Sequence, residues 1–315
     1  MKEQHLRKNP TLLTRHYEEV FVEQRFRGVN GCLLRYIRQR EITSPNGLLI
    51  LGGRTEFVEK YQELFYDLSS LNCSIYSYDH RGQGMSTRLL ANSQKGYVNH
   101  FPDYVSDLKN FIENVMAGHH QRIVVLGFSM GGAVTTLLAR VNPGFIDAAI
   151  LCCPMFTINT FPLSPSLVGW IAQKAVSWGW GERFATGGRG YNFKAKFKNN
   201  PYTSSTTRFA LTQALVRENP RLALGSPTYS WLHEAMVHTK HVFRRTADIT
   251  IPILLLQSGN DTLVQNSAHR KFCKMVPNCK LYTVDGSRHE LLMERDELRE
   301  QALGYITKFI RQQIA

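Results

Sequence analysis

Apolar and polar positions alternate along residues 19–41, and Asn30-Gly31 falls in the middle of the alternation. A period of two is that of a half-buried strand. Both residues of an Asn-Gly pair accept positive φ, so the pattern predicts an antiparallel hairpin. The character then changes. "GLLIL" (47–51) is a continuous apolar run of strand length, as expected of a parallel strand covered on both faces. "FVEKYQELFYDLSSL" (57–71) has helical spacing, and "CSIYSYD" (73–79) reads as a strand. In "YVSDLKNFIENVM" (104–116) Tyr104, Leu108, Phe111, Ile112 and Val115 share one helical face. "RIVVLGF" (122–128) predicts a strand and "MGGAVTTLLARV" (130–141) a helix stopped by Asn142-Pro143-Gly144, with "IDAAILCCP" (146–154) the next strand.

From about 156 to 246 the rhythm is lost. The segment is rich in Trp, Tyr, Phe, Gly and basic residues, and runs such as "LVGWIAQKAVSW" are helical with no strand between them. Strand and helix resume with "ITIPILLLQSG" (249–259), "SAHRKFCKMV" (267–276), "KLYTVDG" (280–286) and a closing helix over 297–314. The alternation predicts an α/β fold with a mostly parallel central sheet and helices on both faces. Residues 1–155 and 247–315 are expected to form the core, and 156–246 an inserted helical cap.

The chain has 315 residues, which suits one large α/β domain with an insertion. Its N-terminus is charged from the start and has no apolar run of signal-peptide length, and no stretch reaches the length of a membrane span. The expected location is therefore cytoplasmic, with or without peripheral contact to the inner face of a membrane. The six cysteines, at 32, 73, 152, 153, 273 and 279, include no C-x-x-C pair. They are expected to be small buried apolar residues rather than a disulfide framework or a metal site. The formal charge of +13 is unevenly spread: residues 156–245 carry 12 Lys and Arg against 3 Glu. Such a field favours an anionic membrane surface or an anionic substrate. No nucleic-acid module is present, so nucleic acid is not an expected partner.

Candidate chemistry centres on "GFSMG" (127–131). A serine between glycines, after a strand and before a helix, has the context of a nucleophile elbow. The turn is so tight that Gly127 and Gly131 are needed as structural neighbours. Ser129 is the candidate nucleophile, and the Met130 amide at the helix start is a candidate oxyanion donor. A serine needs a base. His289, alone among the 11 histidines, sits in a loop just beyond a late strand. Asp261 follows the preceding strand and is the expected orienting acid, with Asp285 a lower-ranked competitor. Asp79, in "YDHRGQGMS", fails the dinucleotide spacing and reads as a structural turn. The loop of "LILGGRTEFVEKY" offers the second oxyanion donor, the Arg54 amide. No cofactor or metal is expected.

"GGRTEFVEKY", "YDHRGQGMS", "GFSMGG", "GNDTLV" and "GSRHE" together resemble the monoacylglycerol lipase and lysophospholipase branch of the α/β-hydrolases. "RLLANSQKGYVNHFPDYVSDL", "PMF", "GSPTYSW" and "RHELLMERDELR" are similar to the bacterial lysophospholipases of the L-two type. The resemblance spans nearly the whole chain. It implies a helical cap over the site, hydrolysis of the single acyl ester of a lysophospholipid, and peripheral membrane association. Many relatives begin the oxyanion loop with His-Gly, whereas this chain has Gly52-Gly53 and then Arg54. The backbone role survives that change, and the side chain is a candidate for head-group selection. Preference for monoacylglycerol, a proline-releasing peptidase, an inactive binding protein and acyl transfer to another lipid remain alternatives. Acyl-chain preference and oligomeric state are not legible.

Overall fold

The computed structural model describes residues 1–9 and 11–315. Two short helices, α1 (Glu3–Lys8) and α2 (Leu12–Val20), precede a hairpin of β1 (Phe21–Arg27) and β2 (Leu33–Gln39). At its tip Asn30 and Gly31 take φ of 56° and 71°, the left-handed conformation that an Asn-Gly pair allows. The chain continues through β3 (Asn46–Leu51), α3 (Gln62–Leu68), β4 (Ser74–Tyr78), α4 (Pro102–Phe111), β5 (Arg122–Phe128), α5 (Met130–Val141) and β6 (Ala148–Cys152). Three helices come next, α6 (Pro165–Ser177), α7 (Thr206–Glu218) and α8 (Tyr229–His238). Then follow β7 (Ile253–Ser258), α9 (Asn266–Met275), β8 (Cys279–Val284) and α10 (Asp296–Ile314).

The strands form one sheet in the order β1-β2-β4-β3-β5-β6-β7-β8. β2 is antiparallel to both β1 and β4, and every pairing from β4 to β8 is parallel. Covering helices explain the near-continuous apolar strands. Leu49, Leu51, Ile123 and Val125 point to one face, where α4 and α5 bring Leu108, Phe111, Val134 and Leu138. Leu48, Ile50, Val124 and Leu126 point to the other, against Phe65 of α3 and Ile306 and Ile310 of α10. Each such side chain taken out of water contributes roughly 1.5–3 kcal/mol, so the two faces together hold the sheet rigid beneath its loops.

Besides α1 and α2, which the sequence pattern leaves unassigned, two details depart from the sequence reading. The helical spacing of 57–71 resolves into a tight turn at Val58–Tyr61 followed by a shorter α3. The buried Asp79 carboxylate accepts the Val58 amide at 2.9 Å and the Met85 amide at 2.8 Å, which fixes that entry and makes Asp79 a structural residue. The second is a correction to the cysteines. Cys273 and Cys279 form a disulfide, because α9 turns directly into β8 and brings their Cα atoms to 5.1 Å. Cys32, Cys73, Cys152 and Cys153 are free and buried.

Candidate active site

β5 ends on Phe128 and α5 begins on Met130, so Ser129 alone makes the turn, with φ 50° and ψ −112°. That conformation is costly for a residue with a side chain and is kept only by its surroundings. A Cβ on Gly131 would stand 2.4 Å from the Leu51 carbonyl oxygen, and one on Gly127 would stand 2.7 Å from the Gly131 oxygen. The Ser129 amide donates to the Cys152 carbonyl at 2.9 Å, and its own carbonyl accepts from Met155 at 2.9 Å. The side chain is thereby presented at the carboxyl edge of the sheet.

His289 and Asp261 reach it from the last two strand ends. Gly259 donates its amide to Val284 and Asn260 donates to Ser287, both at 2.9 Å, which locks the two loops together. His289 Nδ1 lies 2.7 Å from Asp261 Oδ2, and His289 Nε2 lies 3.0 Å from Ser129 Oγ. A carboxylate only accepts, so Nδ1 carries the proton and Nε2 is left to accept from the serine hydroxyl. Asp261 Oδ1 accepts the amides of Leu263 and Val264 at 2.8 and 3.0 Å. Burial alone would raise the Asp261 pKa. The hydrogen bond and charge of His289 and the two amides outweigh it, and hold the carboxyl below its ordinary range. Asp285 is exposed.

The loop carrying Arg54 lies against the serine: a Cβ on Gly53 would stand 2.9 Å from Ser129 Cβ. Among the described residues neither the Arg54 nor the Met130 amide has a protein acceptor. Loop and turn are buttressed by residues the sequence reading passed over. His80 Nε2 donates to the Gly52 carbonyl at 3.0 Å, and Gln83 Nε2 donates to the Gly53 carbonyl at 2.7 Å. Both belong to "YDHRGQGMS", whose glycine turns gave the only hint of them. Beside the histidine, Lys60 Nζ is buried between Glu56 Oε1 at 2.8 Å and Glu290 Oε1 at 2.7 Å. Burial alone would lower its pKa, and the two carboxylates reverse that, so the lysine stays charged.

A cavity of about 220 Å³ opens over Ser129 and His289. Its apolar lining comes from Met155, Ile158, Trp231, Leu232, Leu263 and Val264, so residues between β6 and β7 supply much of the roof. The same segment grips the histidine loop: Glu290 donates its amide to the Tyr202 carbonyl at 2.8 Å, and Arg288 Nη1 donates to the carbonyls of Asn200 and Thr203 at 3.0 and 3.1 Å. Cys153 Sγ, Asp261 and His289 offer three atoms within 4.8 Å of one another. Burial raises the Cys153 thiol well above its ordinary pKa, which makes it a poor metal ligand.

The family model described as serine aminopeptidase, S33 matches residues 44–296. Lysophospholipase L2 of Escherichia coli (strain K12) is 34% identical over 299 residues, covering 91% of this chain and 86% of that protein. The probable lysophospholipase L2 of Haemophilus influenzae is 30% identical, covering 89% and 88%. Monoglyceride lipases, such as that of Rattus norvegicus, lie further out. Among solved structures, a soluble variant of monoglyceride lipase from Saccharomyces cerevisiae in complex with a substrate analog superposes with a TM-score of 0.73 at 18% identity, over 93% of this chain and 96% of that one. At that identity the likeness concerns the fold.

Proposed function

The chain belongs to the serine aminopeptidase, S33 family, within the lysophospholipase and monoacylglycerol lipase branch of the α/β-hydrolases, and from that premise we propose that it hydrolyses the acyl ester of lysophospholipids through an acyl-enzyme on Ser129. The observation that carries this reading is the run of contacts from Asp261 through His289 to Ser129, at 2.7 and 3.0 Å. His289 takes the hydroxyl proton as Ser129 attacks the ester carbonyl. The Arg54 and Met130 amides receive the oxyanion. His289 then protonates the leaving glycerophosphodiester and activates the water that frees the fatty acid. Residues 156–246 act as the cap, and their apolar side chains around Ser129 receive the acyl chain.

An aminopeptidase would need a free carboxylate to hold the substrate's α-amine. Among the described residues the acids lining the serine cavity are Glu56 and Glu290, and Lys60 engages both. The ester reading asks for no such anchor. Monoacylglycerol fits the same apolar lining and is the second substrate to be compared.

Peripheral contact with an anionic bilayer is part of the proposal. No helix among the described residues is long and apolar enough to cross a membrane. Leu167 and Trp170 are 43% and 56% exposed and with Lys174 follow helical spacing along α6, and Leu163, just before the helix, is 47% exposed. The deciding experiment is a panel of lysophosphatidylcholine, lysophosphatidylethanolamine, monoacylglycerol and a proline anilide, run with purified protein and its Ser129→Ala control. Turnover of the anilide alone, or of nothing above the control, would overturn the proposal.

A further inference from the structure

Next to the serine cavity lies a second one of about 570 Å³, and the two share Arg54, Thr55, Tyr202 and Glu290 in their walls. Phe57, Val216 and Leu222 form part of an apolar cluster beneath the larger cavity. Its charged lining is lopsided. Arg54, Lys60, Arg189, Lys194 and Lys196 face a single carboxylate, Glu290. Lys60 already holds Glu290 and Glu56. Among the described residues no carboxylate oxygen comes within 4.0 Å of the side-chain nitrogens of Arg54, Arg189, Lys194 or Lys196.

Arg54 is the most telling of the four. Its Nη1 donates to the Gly225 carbonyl at 2.8 Å, and its guanidinium lies over the Trp231 ring, 5.4 Å from the centroid. Burial lowers its pKa, against the raising effect of Tyr202 and Tyr104. The guanidinium is half-buried; with one carbonyl as partner it carries unspent donors, and a planar fork of N–H groups matches a phosphodiester. Among the described residues the one other charged side chain that lines both cavities is Glu290, already bound by Lys60.

We propose that the larger cavity is a head-group subsite that receives the phosphodiester of the lysophospholipid, with the Arg54 guanidinium as its receptor and Arg189, Lys194 and Lys196 around its rim. The inference rests on the lysophospholipid reading above. Arg54 spans the two sites as one residue: its amide borders Ser129 and its side chain lines the larger cavity. An extended arginine side chain reaches about 6 Å from its Cα, and the ester carbon and phosphorus of an acyl-glycerophosphodiester lie about 7 Å apart when extended. One residue can therefore meet the oxyanion with its backbone and the phosphate with its side chain. A neutral monoacylglycerol presents nothing to the second contact, so the subsite discriminates between the two lipids.

The test compares wild type with Arg54→Gln, Arg54→Lys and the double variant Lys194→Gln/Lys196→Gln, which leaves the Arg54–Gly225 contact intact. For lysophosphatidylcholine relative to monoacylglycerol of the same chain, the kcat/KM ratio should fall roughly 10- to 100-fold in Arg54→Gln, as expected for loss of a hydrogen-bonded charge. Arg54→Lys should recover part of the ratio, and the double variant should raise KM for lysophosphatidylcholine only. In a second arm, glycerophosphocholine should compete with p-nitrophenyl butyrate in wild type and lose that effect in Arg54→Gln, while glycerol does nothing. An unchanged substrate ratio in Arg54→Gln, or glycerophosphocholine acting alike on both proteins, overturns the subsite. Inorganic phosphate competing as well as glycerophosphocholine would mark a free-phosphate site and overturn the head-group assignment. Failure of wild type to cleave lysophosphatidylcholine above the Ser129→Ala control would sink the substrate reading itself; normal cleavage with an unchanged ratio sinks the subsite alone.

Discussion

Asp261 holds His289 by one carboxylate oxygen, Oδ2 at 2.7 Å from Nδ1, while its other oxygen is tied to two backbone amides. The carboxylate therefore cannot turn away, and the imidazole is held in the tautomer that leaves Nε2 facing Ser129. Asp261→Asn replaces the acceptor by a group that can donate, which favours the wrong tautomer. Turnover should fall about 10⁴-fold with little change in fold. Asp285→Asn, at an exposed position, should leave turnover unchanged. Steady-state kinetics on one soluble ester compares the two; equal losses would show that the acid had been misassigned.

Ser129→Ala and His289→Ala should each lower kcat on the order of 10⁴–10⁶-fold, and the double variant should lose no more than the worse single one, because the two act as a unit. A fluorophosphonate probe should label wild type at Ser129 and neither variant. Labelling of Ser129→Ala at another residue would point to a different nucleophile.

Much of this was legible in the sequence for a physical reason. Strands β3, β5, β6 and β7 are buried along their whole length, except the first residue of β5, so they stand out as short apolar runs. The elbow glycines stand out because no other residue fits beside Ser129. What stayed hidden depends on long-range partners. Glu56 and Lys60 read as an ordinary solvated pair four residues apart, and nothing near them announces Glu290 as the third member. Arg208 is buried by Glu63 and Asp296, two charges from opposite ends of the core. The Cys273–Cys279 bond runs against the expectation of buried thiols, because spacing alone does not show a helix turning straight into a strand. Helices α1 and α2 are only six and nine residues long, too short for a hydrophobic period to stand out.

Two glycines test the steric account. Gly131→Ala would push a methyl to 2.4 Å from the Leu51 carbonyl and 2.5 Å from that of Gly52, both backbone atoms under the site. It should cost roughly 3 kcal/mol and most of the activity. Gly304, within α10, has open space where its Cβ would be. Gly304→Ala should stabilise by about 1 kcal/mol through helix propensity. Urea unfolding of both variants checks the pair; a neutral Gly131→Ala would show that the turn is looser than described.

Two buried histidines predict acid sensitivity. Burial holds His80 and His269 at a pKa of about 4, below the ordinary 6.5, against the raising effect of the carbonyls they bond. The unfolded chain then binds more protons than the folded one between those values, so stability falls as pH drops from about 6.5 to 4, by roughly 3 kcal/mol for each histidine at the limit. Asp79 acts in the opposite sense. Burial raises its pKa to about 6 against the pull of Arg35, so its contribution is lost as pH rises through that value. Glu56 and Asp107, also raised by burial, act with Asp79; His16, His120 and His241, lowered by burial, and Asp261 and Asp296, lowered by their partners, act with the two histidines and leave a net loss on acidification. Thermal unfolding should show Tm falling across the window, and less steeply in His80→Gln/His269→Gln. A wild-type Tm that is flat across it would rule this out.

The exposed apolar residues on and beside α6 are the contact that the proposed attachment to a bilayer would use. Trp170 and Trp178 are 56% and 65% exposed, and Phe161, just before the helix, is 87% exposed. Indole rings of this kind gain free energy at the head-group level of a bilayer, and nearby Lys and Arg add about 1 kcal/mol each at an anionic surface. Wild type should therefore co-sediment with vesicles containing phosphatidylglycerol more than with phosphatidylcholine vesicles, and salt should weaken the difference. Trp170→Ser/Trp178→Ser should lose most of that binding while keeping its rate on p-nitrophenyl butyrate, because neither residue lines the serine cavity. If the double variant binds vesicles as wild type does, these residues are not the contact. If it also loses activity on the soluble ester, the tryptophans support the fold of the segment rather than its attachment to lipid.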